Sequence, residues 1–184
     1  AMLMNIPIAH IHGGEITEGA VDEKIRHSIT KMSSLHFTST DEYRNRVIQM
    51  GEFVDTVFSV GAPGIDNIVN MNLLSKSELE DELEWKINRT TALFTFHSET
   101  LSKTNSREEI KEILKIIDKS NLNILFTYAN SDDGGRAINN EIEKFALKDK
   151  DRYRVVKSLG QLKYLSAMKQ LDIVIGNTSS GIIE

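Results

Sequence analysis

The sequence contains no cysteine and no long apolar run. Without thiols, disulfide frameworks and thiolate zinc sites are excluded. Charged residues or glycine interrupt the longest apolar runs well before the roughly 20 residues that a membrane helix needs. No N-terminal stretch has the charged, apolar and small-residue order of a signal peptide. We therefore expect a cytoplasmic protein with no membrane partner.

The sequence also lacks an excess of basic residues. Its 22 Lys and Arg against 27 Asp and Glu give a formal net charge of -5, which argues against nucleic acid as a partner because that role needs a basic face. The 40% hydrophobic and 27% charged content are ordinary for a globular protein. A length of 184 residues fits one ordinary domain or two partial ones.

Short runs rich in Ile, Val, Leu and Phe alternate with longer amphipathic segments, a pattern typical of buried parallel strands separated by helices. The sequence therefore predicts the α/β class. Strands are expected at 6–11, 34–38, 56–61, 91–97, 123–129, 153–158 and 171–176. Helices are expected at 22–31, 41–50, 67–74, 77–85, 106–119, 136–147 and 159–169.

The spacing of these segments changes after residues 61–66, where two helices precede the next strand. We therefore expect two domains, at 1–62 and 63–184, each with its own parallel sheet. A loop inside one long sheet is the alternative, because a single Gly and Pro turn fits both. Neither end of the chain carries a stopping signal, so we expect further residues on both sides.

The loop after the first predicted strand reads His10-Ile-His12-Gly-Gly-Glu15. In open α/β sheets ligands bind beyond the carboxyl ends of strands. The glycines allow close approach of the backbone, and His12 and Glu15 could transfer protons near neutral pH. A glycine turn with solvated polar neighbours explains the same residues equally simply.

Three further residues have both a catalytic and a structural interpretation. Asp22 and Glu23 open a helix, where carboxylates stabilise the positive end of the dipole without any other role. His97 ends the first strand of the second block, at a rim where catalytic groups are common, yet a histidine there is often only a hydrogen-bonded structural residue.

The last segment, 173–184, is an apolar strand followed by a turn rich in hydroxyl groups and the start of a helix. Unpaired N–H groups at a helix N-terminus, with hydroxyls from Thr178, Ser179 and Ser180, suit a phosphate. Glu184 could accept from ribose hydroxyls. A plain Ser/Thr cap is the alternative. Residues 130–136 are expected to form a second such loop on the same rim.

These segments in this order resemble the hydrolysing UDP-N-acetylglucosamine 2-epimerases of sialic acid and related sugar biosynthesis. The carrying segments are 10–15, 22–31, 61–66, 95–97 and 176–184. The resemblance implies a GT-B-type fold, in which two Rossmann-like domains hold the nucleotide sugar in a cleft. It also implies that the chain is truncated at both ends, with the C-terminal part of the first domain and the N-terminal part of the second, UDP-binding domain.

The resemblance also assigns residues. Asp22 matches a catalytic carboxylate and His97 an active-site histidine. Where several relatives carry a catalytic glutamate this chain has His12, with Glu15 three residues later, and either could transfer the proton. Substrate-binding positions implied by the resemblance are the diphosphate turn, the ribose-binding glutamate, a second-domain loop and an aromatic residue near uracil: Thr178, Ser179, Ser180, Gly181, Glu184, Asn130, Asp132 and Tyr164.

The implied reaction removes the C2 proton of UDP-N-acetylglucosamine, expels UDP to give a glycal, and adds water to leave N-acetylmannosamine. It needs no cofactor and no metal, and the sequence shows neither a GxGxxG fingerprint nor metal-ligand spacing. We expect the small nucleotide sugar as partner and a homo-oligomer in the full-length form. Alternatives are a non-hydrolysing epimerase, a hydrolysing epimerase of a UDP-diacetamido-trideoxyhexose, a GT-B glycosyltransferase and a non-catalytic nucleotide-sugar binding module.

Overall fold

The computed structural model describes residues 1–17, 21–98, 105–130 and 134–178. The chain divides into two compact units, Ala1–Asn70 and Met71–Glu184. The division falls after helix Pro63–Asn70, which our domain boundary assigned to the second block. Among the described residues no helix is long and apolar enough to cross a membrane.

The first unit contains a three-stranded parallel sheet in the order β1-β2-β3. Its strands and helices are β1 (Ala9–Ile11), α1 (Asp22–Met32), β2 (Leu35–Thr38), α2 (Asp41–Gln49), β3 (Val57–Ser59) and α3 (Pro63–Asn70), with 3-10 turns at Met2–Met4 and Val54–Thr56.

The two faces of this sheet differ. His10, His36 and Val57 are buried on the face that carries the helices. The opposite face exposes one apolar side chain from each strand, and the exposed fractions of Ile11, Leu35 and Phe58 are 56%, 41% and 44%. Parallel sheets are normally covered on both faces, so this second face is unusual.

The second unit contains a four-stranded parallel sheet in the order β6-β5-β4-β7. Its elements are α4 (Lys76–Leu83), β4 (Thr91–Thr95), α5 (Ser106–Lys119), β5 (Asn123–Thr127), α6 (Gly135–Ala146), β6 (Tyr153–Val156), α7 (Gly160–Gln170) and β7 (Ile173–Gly176).

Every residue of β4 and β5 is buried, because this sheet has a core on each side. Phe94 and Phe126 point into the core that includes residues of α5 and α6. Leu93 and Leu125 point into the other core, which includes residues of α4 and α7. The continuous apolar runs in the sequence reflect this burial on both faces.

The predicted α/β class with parallel sheets is confirmed, although some bounds were wrong. The first strand begins at Ala9 rather than at residue 6, after Pro7, which has no N–H to donate to a neighbouring strand. Helix α3 begins at Pro63 and ends at Asn70, rather than running over 67–74. Proline suits the first helical position, where its missing N–H costs nothing.

Candidate functional site

In the first unit, the loop that follows β1 has a backbone that favours glycine. His12 lies in the left-handed region with φ of 62°, and Gly14 has φ of 81°. A Cβ on Gly14 would overlap the carbonyl oxygen of Tyr43 at the start of α2. The backbone N–H of His12 donates to the carbonyl oxygen of Phe37 at 2.9 Å. The loop therefore packs against β2 and α2.

The structure brings the predicted residues His12 and Glu15 together. Nδ1 of His12 lies 2.8 Å from Oε1 of Glu15. The hydroxyl of Ser39, just after β2, donates to the same oxygen at 3.0 Å. Three side chains from the carboxyl ends of two neighbouring strands thus form one connected group.

Two arginines hold the backbone of this loop. Arg26 of α1 donates to the carbonyl oxygen of Glu15 at 3.4 Å and to the hydroxyl of Thr17 at 2.9 Å. Arg46 of α2 donates to the carbonyl oxygen of Gly14. The guanidinium of Arg26 is therefore turned toward the loop. Ser39 and Arg46 were missed, since no local motif marks them.

Asp22 and Glu23 have different surroundings at the start of α1. A carboxylate oxygen of Glu23 accepts from the backbone N–H of Thr17 at 3.2 Å. Asp22 is exposed and makes no hydrogen bond or ion pair with other described residues. Neither side chain is an N-cap, because the capping residue is Val21 and has no side-chain hydrogen bond. Asp22 is thus the carboxylate of the pair that is available to a ligand.

His10 is buried between the sheet and α1. The residue is 8% exposed, and Nδ1 of its ring lies 3.1 Å from the hydroxyl of Thr30 on α1. Burial lowers the pKa of His10, and its electrostatic interactions with His36, Arg26 and His12 lower it further. His10 therefore stays neutral near neutral pH and helps to pack α1 onto the sheet.

In the second unit, His97 is held by the loops that follow the two neighbouring strands. The amide of Asn177, after β7, accepts from the His97 backbone N–H at 2.9 Å and donates to the His97 carbonyl at 2.8 Å. The backbone N–H of Asn130, after β5, donates to Nδ1 of His97 at 3.1 Å. Because Nδ1 accepts, the proton of the neutral imidazole lies on Nε2.

The loop that contains Asn130 is held in the same manner. The amide of Asn139 on α6 accepts from the Ala129 N–H at 2.8 Å and donates to the Ala129 carbonyl at 3.4 Å. A Cβ on Gly135, the first residue of α6, would overlap the carbonyl oxygen of Asn130. Glycine is therefore needed for the close approach of helix and loop.

The predicted phosphate turn begins at the end of β7. A Cβ on Gly176 would overlap the carbonyl oxygen of Thr95 on β4, and Thr178 is half-buried. These residues lie at the same rim as His97, since β7 pairs with β4 in parallel. The other predicted residues of the turn and of the loop after β5 lie outside the described residues: Ser179, Ser180, Gly181, Glu184 and Asp132.

Tyr164 lies on α7, in the second core of this unit. Its hydroxyl is buried without a hydrogen-bond partner among the described residues. The ring therefore contributes to packing, and its predicted contact with uracil stays a prediction. The described part of the chain also shows no group of three or more His, Asp or Glu side chains that could hold a metal ion.

Two parallel-sheet α/β units with polar loops at the carboxyl ends of their strands define a Rossmann-like protein. The sequence profile of the UDP-N-acetylglucosamine 2-epimerase family matches residues 1–184. The chain belongs to this family.

Curated relatives align with the whole chain. It is 44% identical to the GDP/UDP-N,N'-diacetylbacillosamine 2-epimerase (hydrolyzing) of Campylobacter jejuni. It is 42% identical to the polysialic acid biosynthesis protein P7 of Escherichia coli, and 33% identical to the UDP-N,N'-diacetylbacillosamine 2-epimerase (hydrolyzing) of Legionella pneumophila. The alignments cover 100% of this chain but 48%, 47% and 48% of these relatives, so it spans about half their length.

Solved structures share the fold at low sequence identity. The UDP-GlcNAc 2-epimerase of Neisseria meningitidis, bound to UDP-GlcNAc, matches with a TM-score of 0.74 at 16% identity, over 98% of this chain and 50% of that one. The UDP complex of MnaA from S. aureus matches with a TM-score of 0.71 at 18% identity, over 98% and 48% of the two chains. The fold is that of the GT-B-type UDP-GlcNAc 2-epimerases.

Proposed function

We propose that this chain is part of a hydrolysing 2-epimerase, which releases UDP from a UDP-linked 2-acetamido sugar and inverts the configuration at C2. The observation that carries this proposal is the 44% identity, over the whole chain, to a relative named as a hydrolysing 2-epimerase. The rim loops of both units carry side chains of the types that this chemistry needs.

The first step needs a base for the weakly acidic C2 proton. We assign this role to Asp22, whose exposed carboxylate makes no hydrogen bond or ion pair with another described residue. As the C2–H bond breaks, its electrons form the C1=C2 double bond, and the C1–O bond to UDP breaks. The products of this step are a glycal and UDP.

The departing UDP oxygen needs stabilisation as its negative charge develops. His97 is suited to this role, because Nδ1 accepts from the Asn130 N–H and leaves the neutral ring with its proton on Nε2. The amide of Asn177 fixes the backbone of His97 on both sides. The ring is thereby positioned before substrate arrives, which lowers the cost of organising the site.

The diphosphate and ribose are assigned to the turn after β7. Thr178 begins this turn at the carboxyl end of a strand of the parallel sheet, where phosphate groups commonly bind. Ser179, Ser180 and Gly181 would complete the turn, Glu184 would accept from ribose hydroxyls, and Asn130, Asp132 and Tyr164 remain proposed substrate contacts.

Two sugars are candidates for the substrate. The family description and a Neisseria meningitidis relative, 29% identical over 177 residues, point to UDP-N-acetylglucosamine, with N-acetylmannosamine as the product. The Campylobacter relative is named for GDP/UDP-N,N'-diacetylbacillosamine and the Legionella relative for UDP-N,N'-diacetylbacillosamine. The diacetamido sugar is the second candidate because the identity to the Campylobacter relative, 44%, is higher than the 29% identity to the Neisseria relative.

Product analysis tests the proposal. The full-length protein that contains this sequence is incubated in D₂O with either UDP-sugar, and free UDP is measured by chromatography and the sugar by NMR. We expect free UDP together with an epimerised sugar that carries deuterium at C2. A mixture of two UDP-sugars would indicate a non-hydrolysing epimerase, and binding without any product would indicate a non-catalytic module. The UDP-sugar from which UDP is released at the higher rate is identified as the substrate.

A further inference from the structure

The steps assigned above do not use the hydrogen-bonded group formed by His12, Glu15 and Ser39. We propose that His12 is a proton-transfer residue of the hydration step, that Glu15 is a positioning residue which fixes its tautomer, and that Ser39 positions Glu15. This inference rests on the proposed function, because it assigns residues to a step of that reaction.

The tautomer of His12 follows from the chemistry of its neighbour. An ionised carboxylate only accepts hydrogen bonds, so the 2.8 Å contact requires a hydrogen on Nδ1 of His12. In the neutral ring, Nε2 is then an acceptor. His97 has the opposite arrangement, since its Nδ1 accepts from the Asn130 N–H. One histidine is thus prepared to take a proton and the other to donate one.

Ser39 limits the freedom of Glu15. The Oε1 atom of Glu15 accepts from Ser39 as well as from His12, so the carboxylate is anchored to the end of β2. The side chain of Glu15 is 19% exposed and that of His12 is 36% exposed. The imidazole is therefore the more accessible of the two groups, and the carboxylate is the one committed to internal hydrogen bonds.

The backbone supports a role for the imidazole. His12 adopts φ of 62°, a left-handed conformation that is unfavourable for residues with a side chain. Glycine would adopt it freely, yet a side chain is present. The backbone N–H of His12 donates to the Phe37 carbonyl, and Arg26 donates to the Glu15 carbonyl. These two hydrogen bonds fix both ends of the segment 12–15. Strain of this kind occurs where a side chain must be held in one direction.

Water attacks C1 of the glycal, one of its O–H bonds breaks, and that proton passes to Nε2 of His12. The C1=C2 electron pair takes a proton at C2 from solvent, on the face opposite to the one that lost its proton. His12 then returns its proton to solvent. One water has been added, and no other reactant is consumed.

The test separates hydration from elimination in the full-length protein. Ser39→Ala should lower kcat for the formation of free sugar by about 10-fold, without a matching change in KM. This is the size of effect expected from the loss of one hydrogen bond to a charged group. Glu15→Gln presents an amide that can donate to Nδ1, and should lower kcat by about 100-fold or more. In both variants UDP release should exceed sugar formation, and the glycal should be detectable by NMR. Ser28→Ala is the matched control, since among the described residues its exposed hydroxyl bonds only the Lys24 carbonyl.

A second readout does not depend on turnover. With ¹⁵N-labelled histidine, the wild-type His12 ring should show hydrogen on Nδ1, and Glu15→Gln should move it to Nε2. His12→Gln identifies the signal. Hydrogen on Nε2 in the wild type, or sugar formation in Glu15→Gln equal to that of the control, would overturn the inference. A wild type that releases no UDP would instead contradict the proposed function, while the ring signal would still test the tautomer.

Discussion

Neighbouring residues with the same charge can have different roles in this protein. Asp22 and Glu23 both lie in the first turn of α1, where either carboxylate stabilises the helix dipole. Glu23 also binds the Thr17 N–H, whereas Asp22 is exposed. The position at the start of α1 therefore explains why both residues are acidic. Their hydrogen bonds show that Asp22, and not Glu23, has a carboxylate that a substrate can reach.

We predict that Asp22→Asn in the full-length protein strongly lowers turnover but leaves UDP affinity unchanged, because it removes a proton acceptor from the first unit only. The fall in kcat should be about 100-fold or more, as for loss of a general base. Asp41→Asn is the matched control, because Asp41 also opens a helix of the same unit. UDP release by chromatography and UDP affinity by calorimetry measure the two effects. Turnover of Asp22→Asn within tenfold of the control would remove Asp22 from the mechanism.

His10 gives a prediction about pH. Its folded pKa is lowered, mainly by burial, from an unfolded value of about 6.5. As pH falls through that value, the unfolded chain binds a proton that the folded chain does not, so the free energy of unfolding decreases. Urea unfolding should show lower stability at pH 5 than at pH 7, and His10→Asn should reduce this difference.

Thr30→Val separates the causes of the His10 effect. It removes the hydrogen bond to His10 but keeps the ring buried, so the pH dependence should persist. If Thr30→Val removed the pH dependence as fully as His10→Asn does, the hydrogen bond rather than burial would be its origin.

At the level of strands and helices, two glycines allow close contacts that hold the rim loops of the second unit. Gly135 lets α6 start against the Asn130 carbonyl, and Gly176 lets β7 pass close to the Thr95 carbonyl. Neither has a positive φ, so the space for a side chain, and not the backbone conformation, is what requires glycine.

We predict that Gly176→Ala lowers the free energy of unfolding by about 1–3 kcal/mol, because β4 and β7 must separate to admit a methyl group. The shift should also displace Asn177 and so weaken its hold on His97. Gly64→Ala in α3 is the control, since a Cβ there meets open space, and alanine should stabilise that helix by about 0.5–1 kcal/mol. Urea unfolding followed by circular dichroism measures both. Equal stability of Gly176→Ala and wild type would show that the strands yield without cost.

For the whole molecule, we predict that a protein of these 184 residues alone does not turn over either UDP-sugar. The chain spans about half the length of its relatives, and the sheet under His12 and Asp22 exposes apolar side chains on one face. Such a sheet is poorly supported, and misplacing a catalytic group by about 1 Å can cost roughly 100-fold. UDP release by chromatography decides the point, with the full-length protein as control. Release at a similar rate from the short chain would contradict it.

The sequence was sufficient for the elements of the fold. The apolar runs around Phe94 and Phe126 predict buried strands because both faces of a central parallel strand are covered. Helix α5 was predicted with its observed bounds, since Ser106–Lys119 combines an acidic first turn with a regular apolar face. The glycine loops after β1 and before α6 were likewise visible as local patterns.

The sequence by itself determined the α/β class and the residues that end each strand at the rim, because strand and loop patterns depend on near neighbours. Only the tertiary structure decided how those residues are held. Asn177 clamps His97 across 80 positions of sequence, and Ser39 reaches Glu15 across 24. No local pattern predicts such pairs, since parallel strands that lie side by side are joined through intervening helices. The tautomer of His97, which depends on Asn130 33 positions away, therefore arises from packing between distant segments. That of His12 depends on Glu15, three residues away, and Glu15 is held by the more distant Ser39.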